Sequence, residues 1–297
     1  MDLCYNNCLK QVGKSQPVFV FDIILLLFYN NHMGSLFLNR VAFSLGGFDI
    51  YWYGIIMASA IVIAFLLAIV LFKKKGYDSN VAFEAFLAVV ILGLIGARLF
   101  SVLMEENSSI TDFFKFREGG MSIIGAVIGG ALGLAILSLI RRKNFFVYSD
   151  VVVVVLILAQ AIGRWGNYAN EEVYGKLITN SAWQFFPFGV SIGGEWHYAL
   201  FFYEFVLNLI GFGLLLFLFL RFNKKGLATG AYLLYYGTIR SILETLRDDA
   251  FVLKFKGFAI SQVLSFVMIF AGVFILTKVV DDSLKAKRQL KSKKAVK

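Results

Sequence analysis

From residue 51 onward the chain alternates long apolar runs with short polar ones. The runs cover about Tyr53–Phe72, Val81–Leu103, Met121–Ile140, Val147–Ile162, Ala199–Leu220, Leu227–Leu243 and Phe258–Val280. Each approaches or exceeds the roughly 20 residues that carry an α-helix across a bilayer. A segment in lipid must also satisfy its own backbone polar groups, which a helix does. The pattern predicts an all-α membrane protein of seven transmembrane helices.

The polar punctuation orients these helices. Lys73–Lys75, Arg141–Lys143, and Arg221 with Lys224 and Lys225 follow the first, third and fifth runs; Lys285, Lys287, Arg288, Lys291, Lys293, Lys294 and Lys297 follow the seventh. All fall on one side, and an excess of Lys and Arg marks the cytoplasmic side. The N-terminus is therefore expected outside and the C-terminus in the cytoplasm, with the polar motifs gathered near the outer face. Residues 1–38 read as an N-terminal extension: Pro17–Tyr29 is too short to span and carries Asp22. Met33 opens a sequence that leads straight into the first run, so native translation is expected to begin there. The expected organisation is a seven-span catalytic body over 39–280 and a basic cytoplasmic tail over 281–297.

Composition narrows the chemistry. With 59% hydrophobic residues, 16% charged residues and two prolines among 297 residues, the chain lies far outside the soluble range. Its net charge of +10 sits in short clusters between apolar runs, not on one soluble face, which argues against a nucleic-acid partner. Cys4 and Cys8 are the only cysteines, and His32 and His197 the only histidines. A disulfide framework, a Cys/His metal centre and a serine–histidine relay are not expected, nor is any metal or organic cofactor. Chemistry is left to Arg, Glu, Asp, Tyr and Asn.

The stretch Gly163–Gly175 concentrates such residues at the end of the fourth run, where polar groups are expensive and mark function. Arg164 presents a fork of donors suited to phosphate, Asn167 and Asn170 both donate and accept, and Glu171 and Glu172 add carboxylates. On an ideal helix Glu171 shares the face of Arg164 and Glu172 is turned away. Snorkelling to the headgroups would explain Arg164 alone, but not this mixture of residue types. In the sixth run Tyr236, Arg240, Glu244 and Arg247 recur at intervals that place them on one helical stripe. Intrahelical Arg–Glu pairing is one reading of the stripe. Facing Arg164, it would instead line a cavity fit for a phospholipid headgroup.

Weaker signals surround these. Arg98 lies near the end of the second run, Tyr53 sits in the Tyr51-Trp52-Tyr53-Gly54 opening of the first, and Glu204 and Asn208 lie near the outer end of the fifth. Gly120 and Ser122, in Gly119-Gly120-Met121-Ser122, would let a headgroup approach backbone N–H groups. The four-residue spacing of Gly125, Gly129 and Gly133 equally suits close helix packing.

Taken in order, Trp52-Tyr53-Gly54, Gly-Gly-Met-Ser at Gly119–Ser122, Gly-Arg-x-Gly-Asn-x-x-Asn-x-Glu at Gly163–Glu172, Tyr-Gly-x-x-Arg-x-x-x-Glu at Tyr236–Glu244 and Ser-Gln-x-x-Ser at Ser261–Ser265 resemble the bacterial phosphatidylglycerol–prolipoprotein diacylglyceryl transferases. The likeness runs from about Asn39 to Val280. It implies a multi-pass enzyme of the bacterial inner membrane that moves the diacylglyceryl unit of phosphatidylglycerol onto the lipobox cysteine of a prolipoprotein, forming a thioether and releasing glycerol phosphate. The implied partners are phosphatidylglycerol, the prolipoprotein signal peptide and membrane lipids. By the resemblance Arg164, Asn167, Glu172, Arg240, Glu244 and Tyr53 match functional positions. Tyr236 joins the catalytic candidates, and Asn170, Gly120, Ser122, Arg98 and Glu204 the substrate-binding ones.

The chain departs from the pattern of the family it resembles. Many members carry a histidine two residues after the serine of Gly-Gly-Met-Ser, where this chain has Ile124, which accepts no proton. Deprotonation of the cysteine is then expected to fall to a group of the Tyr236–Glu244 stripe, to Glu172, to the substrate phosphate or to His197. The competing class is a transporter or flippase for an anionic lipid or solute. No inverted repeat supports it, and an odd number of spans does not divide into halves.

Overall fold

In the computed structural model, residues 40–104, 110–114, 122–252, 254–255 and 257–295 are described. Seven α-helices lie among them: α1 (Trp52–Lys74), α2 (Ser79–Met104), α3 (Ile123–Ile140), α4 (Phe145–Ala169), α5 (Leu200–Arg221), α6 (Leu227–Glu244) and α7 (Ile260–Ala295). Six are long and apolar enough to cross a membrane; α6, which carries three tyrosines, Arg240 and Glu244, is not. The result is a multi-pass helical membrane protein. Helix α4 extends seven residues past the predicted end of its run, so Arg164 and Asn167 belong to the helix and only Asn170–Gly175 lie beyond it. Helix α7 continues through the basic residues expected to form a separate tail.

The apolar outer faces are exposed because their solvent is lipid. Helix α4 differs: 56% of its apolar window is buried, against 17–33% in the other spans, which makes it the axis of the bundle. Its Val151, Val154 and Ile157 pack in one core with Leu71 and Phe72 of α1, Leu215 and Phe219 of α5, and Tyr232 of α6. With no hydrophobic drive between helices in lipid, close approach of small residues holds such a bundle. The glycines of α2 and α3 serve this role. Gly96 faces Gly125, Gly129 faces the Leu92 carbonyl and Gly133 faces the Ala88 carbonyl, each without room for a Cβ. Gly129→Leu is expected to destabilise the bundle by about 3 kcal/mol or more, read as lost monodisperse yield in detergent. Gly213→Leu, at a site with nothing within 4 Å, is expected to be neutral.

A buried carboxylate fixes the other end of α6. Asp150 Oδ2 accepts from Gly226 N (2.7 Å), and Oδ1 accepts from Thr229 N (2.8 Å) and Thr229 Oγ1 (2.6 Å). Two of the orphan donors of the α6 N-terminus are thereby satisfied by a side chain of α4. Asp150→Ala removes both partners from buried N–H groups and is expected to cost about 3 kcal/mol. The checking measurement is the thermal unfolding midpoint, with Asp150→Asn falling between the variant and the parent.

Three short antiparallel strand pairs, unforeseen in the hydrophobic pattern, accompany the helices. Strands β1 (Val41–Leu45) and β2 (Phe48–Tyr51) pair through Leu45↔Phe48 across Gly46 and Gly47, both at positive φ. This hairpin belongs with all seven helices to one compact unit, Arg40–Lys176 with Leu200–Lys297. Among the described residues a second unit comprises 177–199. In it β3 (Gly189–Ile192) and β4 (Glu195–Tyr198) pair across Gly193 and Gly194, again at positive φ. The two-residue Gly-Gly turns match the twist of the flanking strands, and only glycine adopts both angles freely. Strands β5 (Lys254–Phe255) and β6 (Phe258–Ala259) form a short ribbon before α7.

Candidate functional site

The ends of α4, α5 and α6 converge on a buried ionic cluster. Glu204, on the first turn and a half of α5 and 3% exposed, forms its centre. One carboxylate oxygen pairs with Arg164 of α4. The other lies 3.2 Å from Arg240 Nη1 of α6 and 3.6 Å from Arg247 Nη2 in the turn after α6. Glu244 adds a second carboxylate: its Oε2 is 2.9 Å from Arg240 Nη2 and 3.6 Å from Arg247 Nε, and its Oε1 accepts from Ser261 Oγ of α7. Three guanidiniums against two carboxylates leave one positive charge in excess. Desolvation, and then the like charge of Arg240, push the Arg247 guanidinium down to about 10, which still leaves it charged at neutral pH.

The α6 stripe thus does both things its spacing allowed. Arg240 and Glu244 pair along the helix, and Arg240 also reaches across to the Arg164 side through Glu204. Tyr236, one turn earlier, lies beside the Arg164 guanidinium and stacks on Tyr232 with centroids 5.4 Å apart. Gly237 lets α7 pack close, since a Cβ there would lie 2.9 Å from the Ser265 carbonyl, and Ser261 of the same helix meets Glu244.

The central motif builds a second polar arm. Arg164 Nη1 donates to Asn167 Oδ1 (3.2 Å), and Asn167 Nδ2 donates to Glu172 Oε1 (3.1 Å), which Asn170 Nδ2 also approaches (3.5 Å). The helix ends at Ala169, and Glu171 and Val173 take positive φ on either side of Glu172. Positive φ is rare for glutamate and a clear outlier for a β-branched residue. It sends Glu171 outward, where it meets Arg40 at 3.7 Å, and Glu172 inward. The helical-face argument for Glu171 fails because the helix has already stopped. Beyond this kink, Lys176 N donates to Leu246 O and Asp248 N to Tyr174 O, with Gly175 bridging Arg247. This backbone bridge ties the end of the motif to the turn that carries Arg247.

Tyr53 enters from α1. Its ring rests on Gly166, where a Cβ would lie 3.0 Å away, and Met57 rests on Gly163 in the same way. Both Glu172 and Arg164 act electrostatically on its phenol. The motif glycines therefore make room for α1 against the polar end of α4.

Arg98, 5% exposed, donates from Nε to Phe113 O (3.4 Å) in the 110–114 turn, and Ser122 N donates to Ala97 O one residue away. They mark the α2–α3 corner, next to the half-buried Ile124. Gly120, Cys4, Cys8, His32 and Met33 fall outside the described residues. His197 lies in β4 of the 177–199 unit, paired with Val190, its Nε2 3.8 Å from Glu195. Arg247 and Ser261 are cluster residues that the sequence argument named in motifs without assigning a role. Their signals were the three-residue step from Glu244 and the Ser-Gln pair. Asn208, one turn below Glu204 and 1% exposed, has no hydrogen-bond partner for either amide atom among the described residues.

A family model described as prolipoprotein diacylglyceryl transferase matches residues 40–278. The chain is 34% identical over 261 residues to the phosphatidylglycerol–prolipoprotein diacylglyceryl transferase 1 of Clostridium perfringens, covering 84% of this chain and 98% of that one. It is 34% identical over 248 residues to proteins of Listeria monocytogenes and of Symbiobacterium thermophilum that carry the same name without the numeral. These matches cover 80% and 81% of this chain and 89% and 92% of theirs. An arginine-rich cluster at the helix ends, built from the matched motifs, and likeness over nearly the whole body lead to one conclusion: the chain belongs to the prolipoprotein diacylglyceryl transferase family.

Proposed function

We propose that this protein transfers the diacylglyceryl group of phosphatidylglycerol to the lipobox cysteine of prolipoproteins, the first step of bacterial lipoprotein maturation. The observation that carries the reading is the buried cluster of Arg164, Arg240 and Arg247 around Glu204 and Glu244, which holds one more positive charge than negative. In the reaction a sulfur–carbon bond forms at the glyceryl carbon and the carbon–oxygen bond to phosphate breaks. The electron pair leaves on a phosphate oxygen of glycerol phosphate. Guanidiniums fixed in a water-poor site stabilise that developing charge without reorganising. Tyr236 and Tyr53 flank the same space, and Asn167 and Asn170 orient Glu172.

A free thiol of pKa about 8.5 is mostly protonated at neutral pH and must lose its proton to attack. Glu204 and Glu244 are committed to guanidiniums. Glu172 is held by two neutral amides, which leaves its charge available, so we assign it the thiol proton. With Ile124 at the α2–α3 corner, no imidazole assists from there. Ile124→His is expected to raise turnover severalfold at neutral pH by adding a base; an unchanged rate would mean that deprotonation is not limiting.

The catalytic body spans 39–280 in the bacterial cytoplasmic membrane. Helix α6 serves as the seventh span, its polar face covered by α4, α5 and α7. The N-terminal end lies outside and the basic 281–297 segment in the cytoplasm. The lysine and arginine clusters between helices support this orientation. The test of the function is direct: the purified chain in detergent, given phosphatidylglycerol and a peptide with one lipobox cysteine, is expected to add one diacylglyceryl mass to the peptide. A folded protein that adds none would overturn the assignment in favour of lipid transport.

A further inference from the structure

The end of the bundle opposite the ionic cluster holds a cleft of about 160 Å³ that plays no part in the transfer chemistry. Three lysines from two separate connections reach it: Lys75 after α1, and Lys224 and Lys225 between α5 and α6. Lys75 is fixed there, its Nζ 3.4 Å from Asn223 Oδ1 and 4.5 Å above the Phe219 ring. The one carboxylate lining the cleft, Asp150, is already spent on the N–H groups of Gly226 and Thr229. The balance is therefore positive. The walls are apolar, with Phe146, Leu218 and Phe222.

A cleft that joins a basic rim to apolar walls at a membrane surface suits a phosphorylated headgroup with its glycerol attached. At ~30 Å³ per water, the volume is that of about five waters, enough for a phosphate and its first carbons. Phe217, Leu214 and Ile210 lie along the outer face of α5, each 43–58% exposed, an apolar surface for acyl chains. A lysine that only marked the cytoplasmic side would not be held by an amide and a ring, as Lys75 is.

We infer that the cleft of Lys75, Lys224 and Lys225 binds the phosphate of an anionic phospholipid of the leaflet opposite the catalytic cluster. This site is distinct from the one that receives the transferred lipid. Lysines near a membrane surface each add to anionic-lipid attraction, so loss of the three should weaken binding by about 100-fold.

The test uses the full chain, delipidated in neutral detergent, with phosphatidic acid as the probe and native mass spectrometry as the readout. The parent is expected to retain one more phosphatidic acid than the Lys75→Gln/Lys224→Gln/Lys225→Gln variant. The corresponding triple arginine variant should restore it, and 20-fold excess inorganic phosphate should leave it in place. Displacement by inorganic phosphate, with the lysine dependence kept, would overturn the lipid assignment in favour of a soluble phosphate ligand. Equal retention by parent and glutamine variant would overturn the site altogether. Transfer to a lipobox peptide, which uses none of these lysines, should persist in the variant and show that it is folded.

Discussion

Arg164→Ala and Arg240→Ala are each expected to lower diacylglyceryl transfer by at least about 100-fold, read as the rate of mass gain on a lipobox peptide. Removing one preorganised donor from a site of developing negative charge typically costs two to three orders of magnitude. Here each substitution also strips Glu204 of a partner. Arg164→Lys and Arg240→Lys keep the charge but lose the planar fork, and a point charge cannot hold two oxygens at once. Their activity should lie between the alanine variants and the parent, with the loss mainly in turnover, because the interaction strengthens as the phosphate leaves. An alanine variant that is folded and within a fewfold of parental activity would remove the arginines from the chemistry.

Glu204→Ala should have the largest effect on stability. The side chain is 3% exposed and touches three guanidiniums that have few other anions near them. Breaking a buried pair by removing one partner leaves uncompensated charge and costs about 3–5 kcal/mol. Here the three arginines would repel one another with only Glu244 between them. The thermal midpoint in detergent should fall sharply, and Glu204→Gln should recover part of it by accepting hydrogen bonds without neutralising charge. An added anionic phospholipid supplies the missing negative charge, so phosphatidylglycerol should raise the midpoint of Glu204→Ala by more than it raises that of the parent. An unchanged midpoint in the alanine variant would show that the cluster is not held together by Glu204.

These two experiments probe different layers of one arrangement. The arginines act on the substrate, whereas Glu204 keeps them together before substrate arrives. A net charge near +1 is the compromise: enough field to draw a phosphate, not enough to burst the helix ends apart. Asp150 performs the equivalent task at the far end of α6, where it satisfies two backbone donors and holds the helix that carries Tyr236, Arg240 and Glu244.

Apolar pattern and motif spacing are enough to establish the class of this protein, the motifs from which the cluster is made, and helix boundaries to within a few residues except at the C-terminal ends of α4 and α7, which run well past their apolar runs. Apolar run length is set by the thickness of the bilayer, so it can be read without knowing a partner. The two Gly-Gly turns are present in the sequence as well, but strands of four or five residues leave little mark on a hydrophobic pattern dominated by spans of twenty. Direction and pairing, by contrast, come from packing. Glu172 turns inward because α4 stops at Ala169 and the backbone takes positive φ around it, which helical periodicity cannot foresee. Glu204 becomes the centre because three helix ends meet there, and spacing along one helix says nothing about charges on another. The same limit explains Arg247, Ser261 and the lysine cleft: each is assembled from segments distant in sequence, and only packing brings their charges together.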